Sequence, residues 1–313
     1  MAMVRRTQTV YVTTDPFFSP RGKVQYGFEH LLERLARVQV PCVWITGWTR
    51  AQLDEPRRRL GQGDPYIGEN GCGVYLPEDY FHLKGSKTIR LGRYTCIPVA
   101  KPQPAAAEAL EELSGDLDLS VVPLRSLSQR ELSQNTGLPA KEADLVRWRD
   151  FDELFFFAGA SEADINRFQA EAKARGQVVQ HVGQFWSLSY GANLAKCVRE
   201  LGGLYDRALR SHALRIGVQV EASRENENDT ARDSWPKAAF DRTLLLTSRN
   251  RQADGVMDSI EENLPVPAAN NLELNAATND GTGPRSREVS RRPREFYLHA
   301  PDVWDDIVAT LTP

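Results

Sequence analysis

A strand, a helix and a second strand follow one another within residues 9–46, and this order restricts the fold more than any other feature of the chain. The run TVYVTTD (9–15) is β-rich and apolar and ends in one carboxylate. GFEHLLERLAR (27–37) sets Phe28, Leu31, Leu32 and Leu35 at helical spacing. VPCVWIT (40–46) is a continuous apolar run bounded by Pro41 and Gly47. Strand, helix, strand over so short a span predicts a βαβ unit, hence a parallel sheet with a right-handed crossover. Ligands of such sheets bind beyond the carboxyl ends of the strands. Asp15 and Thr46 both fall at those ends and are predicted to face one cleft.

The rest of the chain divides by pattern. YIGENGCGVYLPEDYF (66–81) reads as strand, Asn-Gly turn, strand. From 84 to 184 the order becomes mixed: a strand-like TIRLGRYTCIPV, a helix from Pro104, and a helical SQRELSQNTGLPAKEADLVRW. There follow the strand FDELFFFAG, the helix SEADINRFQAEAKARG, and the strands QVVQHV and QFWSLSY. A parallel pattern resumes with a helix over 193–208, the strand RIGVQVE, a strand over 242–247, the strand EFYLHA and a helix over 301–311 with Asp302 as N-cap. The predicted architecture is α/β: a doubly wound, Rossmann-like parallel-sheet core from 1–83 and 190–313, with an inserted α+β cap over 84–189. EASRENENDTARDSW (221–235) and 264–294 are polar, with little apolar periodicity, and are expected to be mobile loops.

Bulk properties exclude some functions. The 313 residues suffice for two domains. A net charge of −3 lacks the basic footprint of a nucleic-acid binder. No run approaches the ~18 apolar residues of a membrane helix. MAMVRRTQTVYV passes from a short apolar stretch into a strand pattern, so no signal peptide is expected and the location is read as cytoplasmic. Cys42, Cys72, Cys96 and Cys197 are scattered and are expected to be reduced thiols. The five histidines show no metal-ligand spacing.

Several segments resemble the mannosyl-3-phosphoglycerate phosphatases, haloacid dehalogenase-like enzymes with a large inserted lid. They are PYIGENGCGVYLPEDYF, TGLPAKEADLVRWRDFDELFFF, VGQFWSLSYGANLAKCVREL and the C-terminal APDVWDDIVATL. The resemblance implies a haloacid dehalogenase-like core and hydrolysis of a glycosylated phosphoglycerate. An aspartate attacks phosphorus, Mg²⁺ neutralises charge, and a second aspartate two residues on handles the protons. In this alignment Asp15 takes the nucleophile's place, Phe17 that of the acid/base and Ser19 that of the motif's threonine. A second register puts Asp15 at the acid/base and Thr13 at the nucleophile. Either leaves one carboxylate missing.

The other motifs also depart. Thr46 matches the hydroxyl that contacts phosphate, although threonine is common at strand ends. Leu194 stands at the motif's lysine, and Lys196 matches only a second lysine two residues on. Ser248 and Gln252 stand where two Mg²⁺-binding aspartates are implied, and Asp254 matches the second only with a two-residue insertion. Asp15 and Asp254 are thus a poor metal set, so no cofactor is expected, and Mg²⁺ only if the chain is active. Arg249 and Arg251 would make the cleft mouth positive and favour an anion, or simply be solvated. Glu69, Asn70, Gly71, Arg149 and Glu153 match positions the resemblance associates with the substrate cleft. Asn70-Gly71 also suits a tight hairpin, and Arg149 and Glu153 are spaced to pair with each other.

Three readings follow. The first is a phosphatase homologue that has lost hydrolysis and binds a sugar phosphate or a protein partner such as a glycosyltransferase. The second is an active Mg²⁺-dependent sugar-phosphate phosphatase using Asp15. The third is a different transferase on the same scaffold.

Overall fold

The computed structural model describes residues 8–19, 23–83, 87–221, 235–247, 294–298, 300 and 302–311. Its strands are β1 (Gln8–Thr13), β2 (Cys42–Ile45), β3 (Tyr66–Gly68), β4 (Gly73–Pro77), β5 (Ile89–Leu91), β6 (Tyr94–Pro98), β7 (Val121–Pro123), β8 (Glu153–Phe157), β9 (Val178–Val182), β10 (Phe185–Ser189), β11 (Leu214–Glu221), β12 (Arg242–Thr247) and β13 (Arg294–Tyr297). Its helices are α1 (Phe28–Arg37), α2 (Arg50–Arg59), α3 (Gln103–Asp116), α4 (Gln129–Thr136), α5 (Ala140–Leu145), α6 (Glu162–Ala174), α7 (Leu194–Leu209) and α8 (Val303–Leu311).

Among the described residues the core sheet has nine strands in the order β13-β12-β11-β1-β2-β3-β4-β6-β5. From β13 to β3 the pairing is parallel, and β4, β6 and β5 continue it antiparallel. β1 lies where the chain order turns, with β2 on one side and β11 on the other. The crevice of a doubly wound sheet forms at such a point. The apolar runs of β1 and β2 reflect burial on both faces. Val10, Val12 and Trp44 pack toward α1 and α8, where Phe28, Leu31 and Ile307 meet them. Tyr11, Val43 and Ile45 pack the other way, against Val198 and Leu201 of α7.

A second, antiparallel sheet, β7-β8-β10-β9, is inserted in the sequence between β6 and α7. α3 and α6 cover one of its faces through Leu110, Phe168 and Phe155. Leu132 of α4 and Ala143 of α5 pack with Leu154 and Phe185 on the other. The expected α/β core with an added antiparallel cap is therefore present.

Three sequence expectations change in detail. The sequence pattern places β5 and β6 in the cap, yet both extend the core sheet beside β4, so the second sheet's segment starts after them rather than at 84. The single helical segment expected over 128–148 is two helices, because Gly137 (φ +69°) ends α4 in the left-handed region and Pro139 precedes α5. α2 went unrecognised. The stretches 222–234 and 264–293 lie outside the described residues, as do Arg249, Arg251 and Asp254. No helix among the described residues is long and apolar enough to cross a membrane. The four cysteines are buried free thiols.

Candidate active site

Three loops at the carboxyl ends of β1, β2 and β3 meet at one place. Asp15 opens a single 3-10 turn directly after β1, with Pro16 fixing the backbone. The Thr46 hydroxyl donates a short hydrogen bond to Asp15 Oδ1. The Gly47 N–H donates to Asp15 Oδ2 at 2.8 Å. The Trp48 N–H donates to Thr46 Oγ1 at 3.0 Å, so the hydroxyl's own proton is directed at the carboxylate. Asp15 and Thr46, predicted to face one cleft, are thus in direct contact.

Thr13 belongs to the ladder of β1, opposite Ile45. Its hydroxyl accepts from the Val220 N–H at 2.8 Å. That side chain is committed between β1 and β11, whereas Asp15 lies just past the strand end. Phe17, which the resemblance sets at the acid/base, lies two residues beyond Asp15. It is fully buried. Its ring stacks on Phe28 with centroids 4.3 Å apart and planes 4° apart. Trp304 closes the other side at 5.7 Å. The side chain is part of the core and does not face the cleft.

The β3–β4 turn brings in the third loop. Glu69, Asn70 and Gly71 all have left-handed φ, at +48°, +53° and +94°. The Asn70 N–H donates to the Thr46 carbonyl at 2.9 Å, and a Cβ on Gly47 would lie 3.1 Å from the Asn70 amide and from Val182 of the cap. A Cβ on Gly71 would lie 2.7 Å from the Leu194 nitrogen, so this glycine lets the turn touch the start of α7. Asn193 caps that helix by accepting from the Lys196 N–H at 2.8 Å. Leu194, at the place of the motif lysine, packs partly buried into the apolar cluster of α7. Lys196 is exposed, and among the described residues its ammonium joins no hydrogen bond or ion pair.

Glu69 is buried and faces the cap instead of the cleft. Its Oε1 accepts the Asp150 N–H at 2.8 Å, and its Oε2 accepts those of Phe151 and Asp152 at 2.8 and 3.1 Å. Arg149 is buried beside it and forms a two-bond pair with Asp152. It also donates to the Gly47 carbonyl at 2.9 Å. Ser187 donates to Asp152 Oδ2 at 2.6 Å. Burial foremost, and then the Asp152 carboxylate, push the Glu69 carboxyl above its usual range, while Arg149 and the Asp150 N–H pull the other way. The expected pairing of Arg149 with Glu153 does not occur. Successive strand residues point to opposite faces, so Asp152 meets Arg149 while Glu153 turns toward Gln103 and Arg125. Asp152, Gly47 and Asn193, which the sequence pattern does not single out, enter the description.

Glu153 has its own consequence. Its carboxyl is raised from 4.5 to about 7, chiefly by burial, against the Gln103 hydrogen bond and the Arg125 charge. Between those values the folded protein holds a proton that the unfolded chain has released. The stabilisation is complete below about pH 4.5 and is lost as pH rises through 7. The shift corresponds to at most about 3 kcal/mol. Glu153→Gln should flatten the pH dependence of urea unfolding between pH 5 and 8; parallel profiles for the two proteins would rule this assignment out.

No group of three His, Cys, Asp or Glu side chains among the described residues is placed to hold an ion. Asp15 offers one carboxylate, and both of its oxygens already accept hydrogen bonds. Mg²⁺ favours several oxygen ligands in near-octahedral geometry, so Asp15 would have to share the ion with donors other than the described residues.

No family model matches the chain. Among curated proteins it is similar to the glucosyl-3-phosphoglycerate/mannosyl-3-phosphoglycerate phosphatase of Methanococcoides burtonii, 23% identical over 184 residues, which covers 56% of this chain and 64% of that one. The protein of the same name from Persephonella marina is 24% identical over 190 residues, covering 60% and 68%. The mannosyl-3-phosphoglycerate phosphatase of Pyrococcus furiosus is 23% identical over 201 residues, covering 64% and 76%. Similar solved structures include a haloacid dehalogenase-like hydrolase from B. subtilis, at TM-score 0.49 and 12% identity over 76% of this chain and 95% of that one. Another is a haloacid dehalogenase-like hydrolase from Bacteroides thetaiotaomicron, at TM-score 0.47 and 12% identity over 76% and 94%. By sequence, this chain is a distant homologue of the mannosyl-3-phosphoglycerate phosphatases.

Proposed function

We propose that this chain keeps the architecture of a sugar-phosphate phosphatase without its hydrolytic reaction. Its remaining role is binding, of a sugar phosphate or similar anion or of a protein partner such as a glycosyltransferase, in the cytoplasm. The observation that carries this reading is the burial of Phe17 against Phe28 and Trp304. Phosphate-monoester hydrolysis is among the slowest uncatalysed reactions, and its alkoxide leaving group needs a proton. General acid–base help is typically worth about 10²–10⁴-fold, and a stacked phenyl ring supplies none. Leu194 puts an apolar side chain where a lysine's charge would stabilise the transferring group. Asp15 then acts as an acceptor that joins the β1 and β2 loops. The ligand class comes from the names of the sequence relatives.

The test is phosphate release from a panel of sugar phosphates, including mannosyl- and glucosyl-3-phosphoglycerate, with and without Mg²⁺. Wild type and Asp15→Asn should be indistinguishable in every condition. Mg²⁺-dependent turnover that Asp15→Asn abolishes would overturn the proposal and make Asp15 a nucleophile.

A further inference from the structure

Trp148 is 61% exposed, more than any other large hydrophobic residue described. It packs into none of the four apolar clusters of the described residues. Single exposed hydrophobics are ordinarily unremarkable, but here a backbone carbonyl before Trp148 and the side chain after it are both bonded to one loop. On one side the Thr49 hydroxyl donates to the Leu145 carbonyl at 3.0 Å. On the other, Arg149 donates to the Gly47 carbonyl at 2.9 Å. Gly47 is the residue whose N–H meets Asp15. The Trp148 N–H itself closes a turn onto the Leu145 carbonyl. An indole is thus presented to solvent from a fixed turn whose next residue, Arg149, is bonded to the loop that meets Asp15.

We propose that Trp148 is a specificity-determining residue that stacks on the apolar face of a pyranose ring; this rests on the binding role argued above. The chemistry is direct. A hexopyranose has one face of C–H groups, and an indole has an electron-rich face that attracts them. A rigid aromatic side chain loses little conformational freedom on making such a contact. A ligand with its anionic end at the strand-end loops would carry its sugar toward this turn. The same anion without its sugar would not reach Trp148.

The experiment is calorimetric titration of the full chain with glucosyl-3-phosphoglycerate and with 3-phosphoglycerate, for wild type, Trp148→Ala and Trp148→Phe. Wild type should prefer the glycosylated probe by about tenfold, the equivalent of about 1.4 kcal/mol. Trp148→Ala should erase that preference without changing 3-phosphoglycerate binding, and Trp148→Phe should keep most of it. A preference that survives Trp148→Ala, or none in wild type, would overturn the inference. If wild type binds neither probe, the anion-binding role fails, and saturation transfer from the indole protons to methyl α-glucopyranoside decides separately. Transfer that Trp148→Ala removes would sustain the stacking role, and no transfer in wild type would end it.

Discussion

Phe17→Asp, which puts a carboxylate two residues after Asp15 as the resemblance implies for an active phosphatase, should abolish stable folding and produce no phosphatase. Phe17 is fully buried between the rings of Phe28 and Trp304. Truncating a buried aromatic costs about 3–5 kcal/mol. Burying an uncompensated carboxylate adds several kcal/mol more, or forces the group to stay protonated. Together these rival the roughly 5–15 kcal/mol that stabilises a whole domain. Urea unfolding and circular dichroism would measure the loss. Phe17→Leu, which keeps an apolar side chain, should cost far less and remain folded. A Phe17→Asp protein melting within a few degrees of wild type would mean that the 3-10 turn can rotate position 17 toward the cleft. The carboxylate could then reach a leaving group, and the hydrolytic reading would return.

The elements that carry this argument were legible to unequal degrees. β1, α1 and β2 announce themselves because both strands are buried on two faces and α1 sets its apolar residues at one spacing. α2 hides because Leu53 is its only buried apolar residue besides Pro56, and proline argues against a helix interior. Its one clear signal is the capping box of Thr49 and Gln52, a Thr-x-x-Gln spacing. β5 and β6 were recognisable as strands, but a hairpin's sequence does not say which sheet edge it joins. The contact of Thr46 with Asp15 followed from both lying at parallel strand ends. The Arg149–Asp152 pair did not, because the choice between Asp152 and Glu153 depends on which face of β8 meets the core, and both are acidic. Gly47 looked like a strand terminator, and only the packed positions of Asn70 and Val182 show that a side chain there would be crowded.

Glu69→Ala should destabilise the protein by on the order of 4 kcal/mol, because this one carboxylate joins cap to core through three backbone donors. Buried N–H groups left without an acceptor cost about 1–3 kcal/mol each. Water entering the seam and the removal of repulsion with Asp152 would recover part of that. Glu69→Gln separates charge from hydrogen bonding. Its carbonyl oxygen can keep the Phe151 and Asp152 donors, while its NH₂ meets the Asp150 N–H donor to donor. The glutamine variant should therefore fall between alanine and wild type. Because burial raises the Glu69 carboxyl, the wild-type stabilisation from its proton weakens as pH rises above the ordinary glutamate range. Glu69→Gln should remove that part of the slope. Urea unfolding measures the total, and amide hydrogen exchange at 150–152 localises it. Both variants should expose those amides before the core strands open. If Glu69→Ala unfolds within about 1 kcal/mol of wild type with the three amides still protected, the cap is held by Arg149, Thr49 and apolar packing, and Glu69 is not what joins it to the core.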